Sequence, residues 1–286
     1  MNQEGYDLGE FIGEGAFGKV FKLLPRNQSD PILVIKVLKP NVASKEYDEE
    51  VNLLSRVDCP NSLYMYKNGE LEPGNNWYNQ INEEMGRANI NYKYMITPFF
   101  EGVDLETLIR QRHYKFELNE LVTFVNEMFT TLKCLHSKNI VHRDIKPSNI
   151  MYNGEDFTLI DYGLSCYEAC VRPSGTPLFV PLFIMYNIYN NIKPSFEMYK
   201  VADFFAIGVT LYEMANNGRH PFEENLNYQP GVNYAYGDVY IPSRSGYLKI
   251  DLLCEILCTQ VLRMDQYDAL YIDFMNSFIQ FNQTNQ

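Results

Sequence analysis

Two short stretches hold four polar side chains of the kinds that phosphate chemistry uses. Val141-His142-Arg143-Asp144-Ile145-Lys146-Pro147-Ser148-Asn149 is followed, across a hairpin at Asn153-Gly154, by Leu159-Ile160-Asp161-Tyr162-Gly163. Oxygen ligands such as Asp161 and Asn149 suit Mg²⁺, which takes one or two protein carboxylates and fills its shell with phosphate oxygens and water. Asp144 is then left to accept a proton, and Lys146 to neutralise a transferring phosphoryl group.

Upstream, Ile12-Gly13-Glu14-Gly15-Ala16-Phe17-Gly18-Lys19-Val20 spaces Gly13, Gly15 and Gly18 as G-x-G-x-x-G. Such glycines let backbone come close to phosphates and reach φ values that other residues avoid. A dinucleotide-binding turn would need a helix straight after Gly18. The chain instead runs Val20-Phe21-Lys22-Leu23-Leu24, which predicts a strand–loop–strand flap over phosphates. Lys36 lies inside the apolar run Pro31-Ile32-Leu33-Val34-Ile35-Lys36-Val37-Leu38. A charge in such a strand needs a partner, because an unpaired buried ammonium costs several kcal/mol. Glu46, Asp48, Glu49 and Glu50 follow on a predicted helix, and Glu50 shares its inward face with Leu54. A lysine reaching from an edge strand to water is the competing reading.

The elements that would hold these groups follow from periodicity. Glu10 to Leu24 and Pro31 to Leu38 read as strands around a polar turn, and Ser44 to Val57 as a helix with Val51, Leu54 and Val57 on one face. Residues 68 to 91 are polar, rich in Gly and Asn, hold the single Trp (Trp77), and read as a long surface loop with a little structure. Tyr92 to Phe100 is a strand. Helical patterns then dominate over Leu118 to His136, Val201 to Ala215 and Tyr247 to Leu262. A small β-rich part before a larger helical part predicts one α+β domain of two lobes, 1–97 and 98–286, joined near Pro98 to Asp104.

Composition narrows the function classes. The 286 residues carry 24 Lys+Arg against 36 Asp+Glu, a net charge of −12, which argues against non-specific nucleic-acid binding and docking on anionic membranes. No apolar run approaches the roughly 20 residues of a membrane span, and the opening Met1 to Gly5 has no secretory pattern. A soluble, cytoplasmic protein is expected, with the nucleus left open and a monomer as the default. Six scattered cysteines predict reduced thiols rather than a disulfide scaffold, and neither Cys166/Cys170 nor Cys254/Cys258 has the His spacing of a metal site. Cys254 and Cys258 read as a buried helix face. The sequons at Asn27 and Asn282 are read as chance matches.

Taken in order and spacing, these motifs resemble the eukaryotic protein kinases of the serine/threonine branch, across essentially the whole chain. The resemblance implies the bilobal kinase-like fold, with ATP and Mg²⁺ as cofactors and Ser/Thr hydroxyls of protein substrates as acceptors. Gly13, Gly15, Gly18 and Val20 match the glycine-rich loop, with Ile12 at its start, and Lys36 with Glu50 matches the strand-lysine and helix-glutamate pair. His142-Arg143-Asp144 with Asn149 matches the catalytic loop, and Asp161-Tyr162-Gly163 stands where the family has Asp-Phe-Gly. Gly175-Thr176-Pro177 resembles the substrate-receiving loop, and Asp203 with Gly208 the anchoring helix. Thr97 takes the gatekeeper position and Pro98 to Phe100 the adenine hinge. Asp104 is implied as a ribose ligand, and Val34 and Met151, with Val20, as the walls around adenine.

Departures from the family pattern accompany the match. Tyr162 brings a hydroxyl that needs an interior partner or water. Val34 replaces the usual Ala. Pro181-Leu182-Phe183 stands at Ala-Pro-Glu, and its partner Arg is missing from Leu262 to Ala269, which predicts an unusual docking surface. Arg143 precedes the catalytic Asp as in kinases that read a loop phosphate, and the loop offers Ser165, Tyr167, Ser174 and Thr176. Yet Arg172 sits near the usual primary site, so an ordered and a switched loop stay open. Rival readings are a pseudokinase scaffold and a kinase-like enzyme acting on small molecules; the intact Lys36, Asp144, Asn149 and Asp161 set weighs against the first. Residues 68–91 and 225–247 are candidate partner surfaces.

Overall fold

The computed structural model describes residues 5–15, 18–41, 44–87, 89–170, 174–223, 241–242 and 244–284. Arg172, Ala16, Phe17 and most of the tyrosine-rich stretch 225–247 lie outside the described residues. The chain forms two compact units, one from residues 5–58 and 63–101 and one from 59–62 and 102–284.

The first unit is built on β1 (Tyr6–Glu14), β2 (Gly18–Pro25) and β3 (Leu33–Leu38), followed by α1 (Ser44–Leu54), β4 (Lys67–Leu71), α2 (Tyr78–Glu84) and β5 (Tyr92–Pro98). The strands form one antiparallel sheet in the order β1-β2-β3-β5-β4. Strand alternation gives it two unlike faces. Phe21, Leu23, Leu33, Ile35, Val37 and Ile96 are buried on one side. On the other side, register places Val20 and Met95 opposite Lys36, and Lys22 and Thr97 opposite Val34. Helix α1 ends at Leu54 rather than Val57; the chain past it closes with shorter turns, such as Val57 N–H to the Leu54 carbonyl at 3.2 Å.

The reading of residues 68–91 as a long surface loop with a little structure is corrected, since a strand and a helix occupy much of it. Lys67–Leu71 is a strand of the sheet, and Trp77, Tyr78 and Ile81 of the α2 region join the buried cluster that covers Phe21, Leu23, Ile35 and Val37. Three large apolar side chains dock on the sheet, and fully burying each contributes about 1.5–3 kcal/mol. That packing outweighs the poor helix propensity of an Asn-rich segment.

The second unit contains β6 (Val103–Asp104), α3 (Leu118–Ser137), β7 (Ile140–Val141), β8 (Ile150–Tyr152), β9 (Phe157–Leu159), β10 (Cys166–Tyr167), α4 (Leu182–Tyr189), α5 (Phe196–Ala215), α6 (Leu248–Thr259) and α7 (Met264–Thr284). Helix α5 is buried on every side from Val201 to Met214, so it reads as a central post rather than an amphipathic surface helix. Against it pack α3, through Phe129 and His136 on Phe204, and α6, whose Cys254 and Cys258 are buried thiols. Two small sheets, β6-β8-β9 and β7-β10, carry the loops that bear the polar residues. Among the described residues no helix is long and apolar enough to cross a membrane.

The expectation of reduced thiols is also corrected, since Cys59 bonds to Cys134 and Cys166 to Cys170. Cys59 reaches α3 because the stretch 59–62 belongs to the second unit: Asn61 accepts the Leu159 N–H through its carbonyl, and the Thr131 hydroxyl donates to the Pro60 carbonyl. Scattered positions in the sequence conceal this proximity.

Candidate active site

The catalytic loop is fixed from behind. Buried Asp203 of α5 accepts the backbone N–H groups of His142 at 2.9 Å and Arg143 at 2.8 Å, and faces His136 Nε2 at 3.0 Å. Two amides at one carboxylate specify the backbone, which passes through a left-handed Arg143 with φ 68°. His142 is fully buried; its Nε2 donates to the Ile160 carbonyl at 3.2 Å and its Nδ1 faces the Asp144 N–H at 3.4 Å. Burial lowers the imidazole pKa, so the ring is a neutral strut linking the two polar stretches.

Asp144, only 6% exposed, is where donors converge. Lys146 Nζ donates to Oδ2 at 2.8 Å, Asn149 Nδ2 to the same oxygen at 2.9 Å, and the Thr176 hydroxyl to Oδ1 at 2.5 Å. Lys146 also reaches Thr176 Oγ1 at 3.0 Å, so carboxylate, ammonium and hydroxyl form one cluster. Asn149 commits its amide nitrogen twice to Asp144, at 2.8 Å to the carbonyl and 2.9 Å to the carboxylate, so its amide oxygen is what it can offer a cation. Asp161 follows β9, is exposed, has φ 60° and accepts the Gly163 N–H at 3.2 Å. One carboxylate and one amide oxygen fit Mg²⁺, which draws its other ligands from phosphates and water. Among the described residues no group of three or more His, Cys, Asp or Glu is placed to hold a metal ion together.

Tyr162 is 2% exposed, edge-on to His142 at 4.8 Å, and its hydroxyl is bonded to Ser62. The family-divergent hydroxyl therefore has a partner. Ser62→Ala is expected to strand it and cost about 1–3 kcal/mol. Adding Tyr162→Phe should recover most of that loss in urea unfolding, and simple additivity of the two changes would sink the pairing.

In the first unit, Lys36 Nζ meets Glu50 Oε1 at 2.6 Å, so the ammonium is paired rather than reaching for water. Val20, Val34 and Thr97 lie on the same sheet face as Lys36. Gly18 has a packing reason to be glycine, since a Cβ would stand 2.5 Å from the Val37 carbonyl oxygen. Gly13 and Gly15 have no positive φ and no close neighbour among the described residues, so nothing among those residues demands glycine there. Ile12 is exposed and Phe100 half-buried, and β5 ends at Pro98. In the second unit, register sets Asp104 beside Met151. The Asp104 carboxylate takes the N–H and hydroxyl of Thr107, each at 2.8 Å, and so also caps the following turn.

Some supporting groups were invisible to motif reasoning. Ser62 has a partner 100 residues away. Glu127 of α3 accepts the Phe157 N–H at 2.7 Å and so holds β9, while burial raises its pKa to about 7. Neither sits in a recognisable pattern.

The comparisons agree with this geometry. A family model described as protein kinase domain matches residues 6–267. The chain is 29% identical over 266 residues to the serine/threonine-protein kinase stk11 of Xenopus laevis, covering 87% of this chain and 55% of that protein. It is 29% identical over 232 residues to mouse Nek5, covering 78% of this chain and 32% of Nek5. It is 27% identical over 262 residues to mouse Aurora kinase C, covering 88% and 84% respectively. The chain thus spans about half the length of stk11 and a third of Nek5. With the family model spanning nearly all of it, the chain belongs to the protein kinase domain family.

Proposed function

We propose that this chain transfers the γ-phosphoryl group of ATP to serine or threonine hydroxyls of protein substrates. The observation that carries the reading is the cluster at Asp144, where one carboxylate oxygen already accepts a hydroxyl hydrogen bond and the other an ammonium. The substrate hydroxyl gives its proton to Asp144 as its oxygen attacks the γ-phosphorus. The bond from phosphorus to the bridging oxygen breaks, and ADP leaves with that electron pair. Lys146 offsets charge on the phosphoryl oxygens, and Lys36, held by Glu50, orients the α- and β-phosphates. Asn149 and Asp161 are the residues that would hold Mg²⁺, which when bound neutralises the phosphate charge.

Lys146 and Thr176 at the acceptor favour Ser/Thr over tyrosine, and the named relatives are serine/threonine kinases. The direct test is labelled Mg·ATP with a panel of basic and acidic proteins, the Asp144→Asn protein serving as blank. Label on Ser/Thr above the blank supports the reading. A nucleotide-dependent melting shift without transfer would replace it with a binding scaffold.

A further inference from the structure

From the contacts of the 174–180 segment, we infer that His220 is a positioning residue that clamps the substrate-receiving turn. The inference rests on the kinase reading above and concerns how that site holds its acceptor peptide.

The turn Pro177–Phe179 follows directly on Thr176, whose hydroxyl donates to Asp144. Loosening this turn displaces the backbone an acceptor peptide would lie against, while Asp144 and Lys146 still hold the Thr176 hydroxyl. Its own internal bond is the Phe179 N–H to the Thr176 carbonyl at 2.9 Å. Gly175, with φ 150°, lies so close to Val180 that a Cβ there would clash with its side chain, so the segment is folded tightly upon itself. A glutamate two residues past Pro181 could have anchored such a turn to an arginine. Phe183 stands there and packs on the apolar cluster of Val180, Ile184 and Tyr199. Arg263 pairs with Asp265 at 2.7 Å on the exposed surface.

The tie comes from the connection after α5. His220, 8% exposed, donates from Nε2 to the Leu178 carbonyl at 3.0 Å. Its Nδ1 accepts the Phe222 N–H at 3.3 Å, which fixes the tautomer and aims the donor. The ring lies edge-on to buried Phe179 at 6.4 Å and against Phe222 at 5.5 Å, so it cannot swing away. Burial holds the imidazole neutral, with its pKa lowered to about 4, so one N–H is always available to Leu178 across the working pH range. A neutral ring thus does by hydrogen bonding what an ion pair would do by charge.

The test compares His220→Phe, which keeps the ring packing and loses both polar atoms, with His220→Gln, whose amide can still donate to Leu178. With a peptide acceptor, His220→Phe should raise the peptide KM about tenfold, the usual scale for losing one buried hydrogen bond. Its kcat at saturating peptide and its ATP-dependent melting shift should stay unchanged, and His220→Gln should recover most of the KM. Hydrogen exchange reads the clamp without any transfer: amides 174–180 should lose protection in His220→Phe and keep it in His220→Gln. Unchanged protection in both variants overturns the clamp. A peptide KM that stays put while kcat falls also overturns it. Should the unmutated protein transfer nothing, the kinase reading fails, and exchange still decides the role of His220.

Discussion

Asp144→Asn should lower phosphoryl transfer by about 10²–10⁴-fold, the usual contribution of a positioned general base, while ATP still raises the melting temperature as before. The side chain is nearly closed off from water and receives three donors, from Lys146, Asn149 and Thr176. An amide keeps one oxygen for the Thr176 hydroxyl but turns an NH₂ toward two groups that are themselves donors. The substitution therefore removes the proton acceptor, while Asn149 keeps its bond to the backbone carbonyl of residue 144 at 2.8 Å. The glycine loop and Lys36, the proposed grip on the nucleotide phosphates, are untouched by it, so binding and transfer should separate. Initial rates with labelled ATP on a basic protein decide the matter, and a variant working within twofold of the original would refute the assignment of Asp144.

Asp161→Asn should abolish the Mg²⁺-dependent part of nucleotide binding and cut transfer by two orders of magnitude or more. Loss of metal-borne charge stabilisation is worth several kcal/mol, and each 1.4 kcal/mol or so is tenfold in rate. Asparagine is the right probe for a local reason. Residue 161 has φ 60°, a left-handed conformation that Asp and Asn tolerate and most side chains do not. The new amide oxygen can still accept the Gly163 N–H, and Tyr162 stays in its buried seat. What disappears is the one negative charge that the proposed Mg²⁺ site draws from this residue. Melting curves with ATP across a Mg²⁺ series measure this, and an unchanged Mg²⁺ midpoint would mean that Asp161 is not the ligand.

The parts of the molecule that could be read in advance are those whose determinants are local. Alternation in Leu33 to Leu38 sets which residues share Lys36's face, and the placement of Glu50 relative to Leu54 on α1 points it inward, toward the lysine it meets at 2.6 Å. The Asp144, Lys146 and Asn149 cluster lies within one loop, so spacing alone brings it together. Where the determinants are distant, reading stopped. Helix α2 has seven residues, too few to show a period, and forms because Trp77, Tyr78 and Ile81 find a sheet to cover. The Cys59–Cys134 bond joins residues 75 apart, and nothing in either neighbourhood announces the other. Ser62 lies far from any motif, and His220 sits in a recognisable stretch that does not reveal its Leu178 contact.

Arg143 carries one more consequence. Its Nε donates to the Leu164 carbonyl at 2.6 Å, and its guanidinium lies 5.2 Å from the centre of the Tyr199 ring. The Tyr199 hydroxyl in turn accepts the Ser174 N–H at 3.3 Å. The cation that could have awaited a covalently attached phosphate is already engaged by the Leu164 carbonyl and the Tyr199 ring. A phosphate added to the neighbouring loop would therefore have to displace both before it could take this guanidinium.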